Sequence, residues 1–151
     1  MAGVLTFQAS PASAALSWSS WDYYYAGTSG GQVKCASSRS GVDFVVAPGP
    51  IMYPYTASGT FLWKDYLCSN WDLQLPGIAS ARNMTMKEPM TVCGGWTDWK
   101  DNPNNNPYAE AGAVTVAKCG SANYFSYGEH KAVRFGSVRT DASNSSAIWI
   151  P

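Results

Sequence analysis

Hydrophobic positions along this chain recur in short alternating runs, not in helical turns. No window of a dozen or more residues keeps apolar side chains at the three-to-four spacing of an amphipathic helix. Instead, short stretches rich in Val, Tyr, Phe, Trp and Thr alternate with clusters of Gly, Pro, Asn and Ser. Such runs fall at residues 21–25, 32–35, 42–47, 51–55, 60–67, 71–75, 84–87, 90–93, 113–119, 123–127, 130–135 and 147–150. The turn signals between them include GTSGG, APGP, ASG, LPG, DNPNNNP and TDASNSS. This spacing predicts an all-β chain: a single antiparallel β-sandwich or barrel-like domain with little helix.

Period-two geometry assigns faces within the runs. In HKAVRF, His130, Ala132 and Arg134 share one side of a strand, and Lys131, Val133 and Phe135 the other. With Val133 and Phe135 turned to the core, His130 is expected on the polar surface beside an aromatic cluster. Glu129 then points away from it, so the adjacent Glu and His do not form an acid–base pair.

Four cysteines, Cys35, Cys68, Cys93 and Cys119, stand far apart with no C-x-x-C, and the chain has one histidine. That disfavours zinc and favours two disulfides. Three pairings are possible. Cys35–Cys68 with Cys93–Cys119 is preferred because each bridge then staples one half of the chain. Disulfides imply an oxidising compartment, hence a secreted protein. The start, MAGVLTFQASPASAA, reads either as a signal-peptide remnant or as an N-terminal arm or strand. In the second case Val4, Leu5 and Phe7 are apolar contacts for a neighbouring sheet edge. Residues 16–151 form the β domain. No apolar run reaches the roughly 20 residues of a membrane-spanning helix.

Charge narrows the partners. Ten basic residues balance ten acidic ones in 151. No basic patch is available to neutralise phosphates, so nucleic acid is not an expected partner. Seven Trp and nine Tyr are the unusual feature. Such side chains offer large contact area at small entropy cost. Three of them, Trp96, Trp99 and Tyr108, stand in the longest loop, residues 94–110, on a polar frame broken by prolines. Tyr124, Tyr127 and His130 form a second candidate contact group.

Catalytic patterns are thin. There is no G-x-S-x-G elbow, bridged cysteines cannot act as nucleophiles, and ten scattered carboxylates specify no pair. DWKDNPNNN offers oxygen ligands from Asp98, Asp101, Asn102, Asn104 and Asn106, but without the spacing or closing Glu of an EF-hand. It reads as an Asx-rich turn capped by its own side chains. No metal or cofactor is expected. The triplets NMT at Asn83 and NSS at Asn144 match the glycosylation sequon.

The Ala/Ser/Gly-rich start and the stretch NYFSYGEHKA resemble small secreted proteins of Gram-positive actinomycetes, and in part bacteriocins of the lactococcin 972 type, over about twenty residues. The four cysteines and the long Trp-bearing loop depart from that pattern. The resemblance implies a role in antagonism between bacteria, as toxin, accessory subunit or binding component. The chain is therefore expected to be a secreted, non-enzymatic binding module, a protein-interaction subunit or adaptor of an extracellular assembly. The alternatives are a carbohydrate or cell-wall binder using Trp96, Trp99 and Tyr108, and, below that, a small hydrolase.

Overall fold

A computed structural model describes residues 16–25, 35–63, 68, 76–116, 119–134 and 137–151. The expected arm residues Val4, Leu5 and Phe7 lie outside that range, as do residues 64–67 of the expected strand 60–67 and the whole of the expected strand 71–75. The described chain is all-β, with two antiparallel sheets stacked as a sandwich. The first sheet contains β1 (Ser17–Trp18), β2 (Asp22–Tyr25), β3 (Cys35–Ala47), β4 (Ile51–Trp63) and β8 (Tyr108–Val114). The second contains β5 (Ala79–Lys87), β6 (Thr91–Gly94), β7 (Lys100–Asp101), β9 (Ala122–Arg134), β10 (Ser137–Asn144) and β11 (Ile148–Ile150). Both β1 and β2 pair with β3, which pairs with β4, which pairs with β8. In the facing sheet β10 and β11 share one edge of β9, β5 pairs along the other, and β6 and β7 line the far side of β5.

Three strands run 13 residues each, longer than the sequence pattern predicts. The predicted turn at ASG lies inside β4, and β3 and β4 pair without a break from Cys35 opposite Trp63 to Ala47 opposite Ile51. Most of TDASNSS likewise pairs as β10. The reason is on the inner faces. Ser38, Ser40, Thr56, Ser58 and Thr60 of one sheet are buried against Asn83, Thr85, Ser126 and His130 of the other. Hydroxyls bridge the gap: Thr56 to Thr85 at 2.7 Å, Ser58 to Asn83 at 3.0 Å, and Ser40 to Ser143 at 2.7 Å. A polar group buried with a partner is tolerated where an orphaned one is not. Ser and Gly, which look like loop formers, here fill the close gap between the sheets. A purely apolar layer, Ala36, Leu62, Ala79, Ala109 and Ala132 with Ile78, closes the end away from the β3–β4 turn.

The two expected disulfides are present, Cys35–Cys68 and Cys93–Cys119. The APGP signal is the β3–β4 hairpin turn, with Gly49 in the left-handed region at φ 89°. The acidic loop spends its side chains on its own backbone and neighbours. Asn102 accepts the Ala79 amide at 2.8 Å and donates to the Asn106 carbonyl at 2.7 Å, while Asp101 accepts from Ser80 at 2.5 Å.

Candidate functional site

His130 is fully buried, not on the surface. Strand parity is the reverse of the expected one, because β9 turns Ser126, Gly128, His130 and Ala132 inward. The half-exposed Val133 stands on the other side, toward solvent. Nδ1 of His130 lies 3.0 Å from the Thr60 hydroxyl and Nε2 lies 2.7 Å from the Ser143 hydroxyl. Glu129 does point the other way, as expected, and accepts Arg82 Nε at 2.7 Å. Asp141 sits opposite His130 on β10 and turns inward to Ser38.

Burial pushes the imidazole from 6.5 down to about 4, against the opposing pull of the Asp141 carboxylate. The unfolded chain therefore takes up a proton near pH 6.5 that the native core refuses until about pH 4. The stability carried by the neutral ring is complete above pH 6.5 and is lost as pH falls from there toward 4. The shift corresponds to about 3 kcal/mol. Urea midpoints measured between pH 7.5 and 4.5 are expected to fall accordingly, and to fall less steeply in His130→Gln. An unchanged slope in that variant would remove His130 as the cause.

The three loop aromatics do not form one site. Trp96 and Trp99 lie on the outer face of the second sheet, with Tyr127. The Arg82 guanidinium lies 4.2 Å from the Trp96 ring and 4.8 Å from Trp99, and Lys131 Nζ lies 3.7 Å from Trp99. Trp96 and Tyr127 stand 5.6 Å apart. A pocket of about 380 Å³ opens between Trp99, Glu129, Lys131, Thr140 and Ala142, with His130 and Asp141 also in its lining. Two of its charges are already committed, Glu129 to Arg82 and Lys131 to the indole. Tyr124 is fully buried and donates to the Gly120 carbonyl at 2.5 Å, so it is a core residue rather than a contact residue.

Tyr108 belongs to the outer face of the first sheet, where the larger aromatic surface lies. Period two along FLW sends Phe61 and Trp63 outward and Leu62 into the core. Their rings are 4.7 Å apart, and Trp21, Tyr108 and Tyr23 extend the cluster at 6.1, 6.2 and 6.3 Å. Two glycines make the rings lie down. A Cβ on Gly41 would stand 2.8 Å from the Trp18 ring, and one on Gly59 would stand 2.7 Å from Tyr108 Cε2. Trp63 Nε1 donates to Ser37 at 2.9 Å, which fixes that indole.

Arg39 is inserted at the centre. Its guanidinium carbon is 4.1 Å from the Trp18 ring and 4.2 Å from the Trp21 ring, with Tyr108 at 5.9 Å. Among the described residues its Nε is buried without a hydrogen-bond partner. Cation–π contacts of this kind contribute about 0.5–2 kcal/mol each. Glu110 accepts the Tyr108 hydroxyl at 2.5 Å. Burial, then the Glu110 carboxylate, pushes the Tyr108 and Tyr55 phenols upward, so both stay protonated at physiological pH.

The sequence pattern did not single out Trp18, Trp21, Arg39, Phe61 or Trp63. The usable signal was the alternation of aromatics at 61 and 63, which stand opposite the small residues Ser37 and Cys35 of β3. Among the described residues no group of three or more His, Cys, Asp or Glu is placed to hold a metal ion. No family model, curated protein or solved structure matches this chain.

Proposed function

We infer that the protein is a secreted, non-catalytic binding module that docks another extracellular protein through the outer face of the first sheet, as a subunit or adaptor of an assembly. The observation that carries this reading is the compact aromatic cluster packed around Arg39. Aromatic rings and Arg are the side chains that dominate protein–protein hot spots. Sugar recognition favours open, coplanar ring faces. Here Trp21, Phe61, Trp63, Tyr108 and Tyr23 are tilted by 43–67° to their neighbours. Arg39 also covers one face of Trp18 and of Trp21. Two disulfides suit an oxidising compartment. A role in antagonism between bacteria remains the assembly type this reading favours.

The test is affinity capture from the producing organism's culture supernatant, with wild type compared against a Tyr23→Ala/Phe61→Ala double variant. Loss of hot-spot contacts of about 2 kcal/mol or more weakens binding roughly thirtyfold. A stoichiometric partner retained by wild type and lost by the variant supports the reading. Equal capture by both would move the docking site elsewhere. A second reading, cell-surface glycan binding at the pocket beside Trp99, is favoured by that pocket alone. Loss of cell-wall polysaccharide binding in Trp96→Ala and Trp99→Ala would select it.

A further inference from the structure

Among the described residues, the large apolar side chains that stand exposed are not spread evenly. Only Tyr23, Trp96 and Val138 lie elsewhere; the rest gather at one end of the sandwich. Inter-sheet contacts define that end. Thr56 meets Thr85, and Thr60 meets the Ser80 carbonyl, so β4 and β5 run in opposite directions face to face. The β3–β4 turn and the β5–β6 turn therefore emerge side by side. Phe44, Val46 and Ile51 flank the first turn, Met90 and Val92 follow the second, and Trp149 pairs with Asn123 next to them.

The first hairpin is apolar on both faces. Phe44 and Val46 continue the inner face of β3 beyond the core, while Ile51 and the half-buried Tyr53 belong to the outer face of β4. Residues 44–63 contain no charged side chain. Pro48 and Pro50 at the first turn and Pro89 at the second have no backbone N–H to leave unsatisfied. Among the described residues, three charged groups at this end are engaged within the protein. Asp43 accepts the Phe44 amide at 2.8 Å, Lys87 donates to the Cys119 carbonyl at 3.1 Å, and Glu88 accepts from Asn123 at 2.8 Å.

We propose that this end inserts into the interface of an uncharged lipid surface, with the β3–β4 hairpin as the leading edge. A groove on a protein covers one face of a ribbon, whereas acyl chains cover both. Hydrocarbon also penalises unpaired backbone donors, and the three prolines remove donors at the turns. Four ladder rows, from Phe44 opposite Pro54 to Ala47 opposite Ile51, reach on the order of 10 Å, the depth of the headgroup and upper acyl layer. Tyr53 and Trp149 stand where amphipathic rings settle at a membrane boundary. Among the described residues at this end no cation is left over, and that charge balance favours a zwitterionic surface over an anionic one.

The test is flotation of the full chain with phosphatidylcholine vesicles, with and without phosphatidylserine, at low and high salt. Binding to phosphatidylcholine that neither anionic lipid nor salt improves is expected. Val46→Asp/Ile51→Asp is expected to weaken it at least tenfold, and Val138→Asp, exposed at the opposite end, is expected to leave it unchanged. Both substituted sites in the double variant are exposed, and an unchanged near-UV spectrum verifies that its fold is intact. Absence of flotation, binding only to anionic vesicles, or equal binding by the double variant overturns the proposal. So does a dimer that the double variant dissociates, without vesicle binding, which would make a second copy the occupant.

Discussion

Gly128→Ala is expected to destabilise the protein by about 3–5 kcal/mol, through overpacking and the loss of buried hydrogen bonds together. Gly128 sits at the middle of β9, directly under the opposite sheet. A Cβ there would stand 2.6 Å from both Ser40 Oγ and Ser58 Cβ. Neither neighbour is the free end of a flexible chain. Ser40 is tied to Ser58 at 2.9 Å and to Ser143 at 2.7 Å, and Ser58 to Asn83. The sheets would have to part locally, which stretches every hydroxyl bridge in the layer at once. Chemical unfolding of the single variant measures the cost. Adding Ser58→Gly removes the nearest obstruction and is expected to restore part of it. A Gly128→Ala variant as stable as wild type would mean that the sheets do not approach this closely.

Asn83→Leu is expected to cost a similar amount, about 3–5 kcal/mol, although the side chain keeps its branching and its number of heavy atoms. Asn83 is the hub of the inter-sheet layer. Its amide nitrogen donates to the Thr56 hydroxyl at 2.7 Å and the Thr56 carbonyl at 3.1 Å. Its oxygen accepts from Ser126 at 2.5 Å and Ser58 at 3.0 Å. Leucine fills the space but answers none of these groups, and a buried polar atom left without a partner costs about 1–3 kcal/mol. The urea midpoint, with m unchanged, reads this directly. A loss under about 1 kcal/mol would show that the layer tolerates apolar replacement. The same burial closes the NMT sequon: Asn83 is 1% exposed, so a folded chain offers no acceptor there.

The all-β class, the sandwich, the bridges and the APGP hairpin were legible because each rests on a local rule. Alternation, turn chemistry and cysteine spacing act within a few residues or one loop. The long strands were not legible, because strand propensity scores Ser, Gly and Ala poorly when it assumes an apolar interior. In β9 the usual polarity is inverted. Ser126, Gly128 and His130 face in, while Tyr127 and Val133 face out, so the apolar residues pointed to the wrong side. Of the aromatic cluster around Arg39 only Tyr108 was legible, and it was grouped with other residues. Trp96, Trp99 and Tyr127 do meet on one face, but chain proximity grouped Tyr108 with the wrong sheet. Arg39 gave no sign of its place, since a cation held between two indoles depends on a register between β1, β2 and β3 that only folding sets.

The hydroxyl layer has a thermal consequence. The heat-capacity increment of unfolding grows with apolar surface and shrinks with polar surface. Much of the surface that this sandwich opens on unfolding is Ser, Thr and Asn, and part of its aromatic surface already meets solvent when folded. Its stability curve is accordingly shallow and broad, and the molecule depends less than an oil-cored domain of equal size on a driving force that fades in the cold.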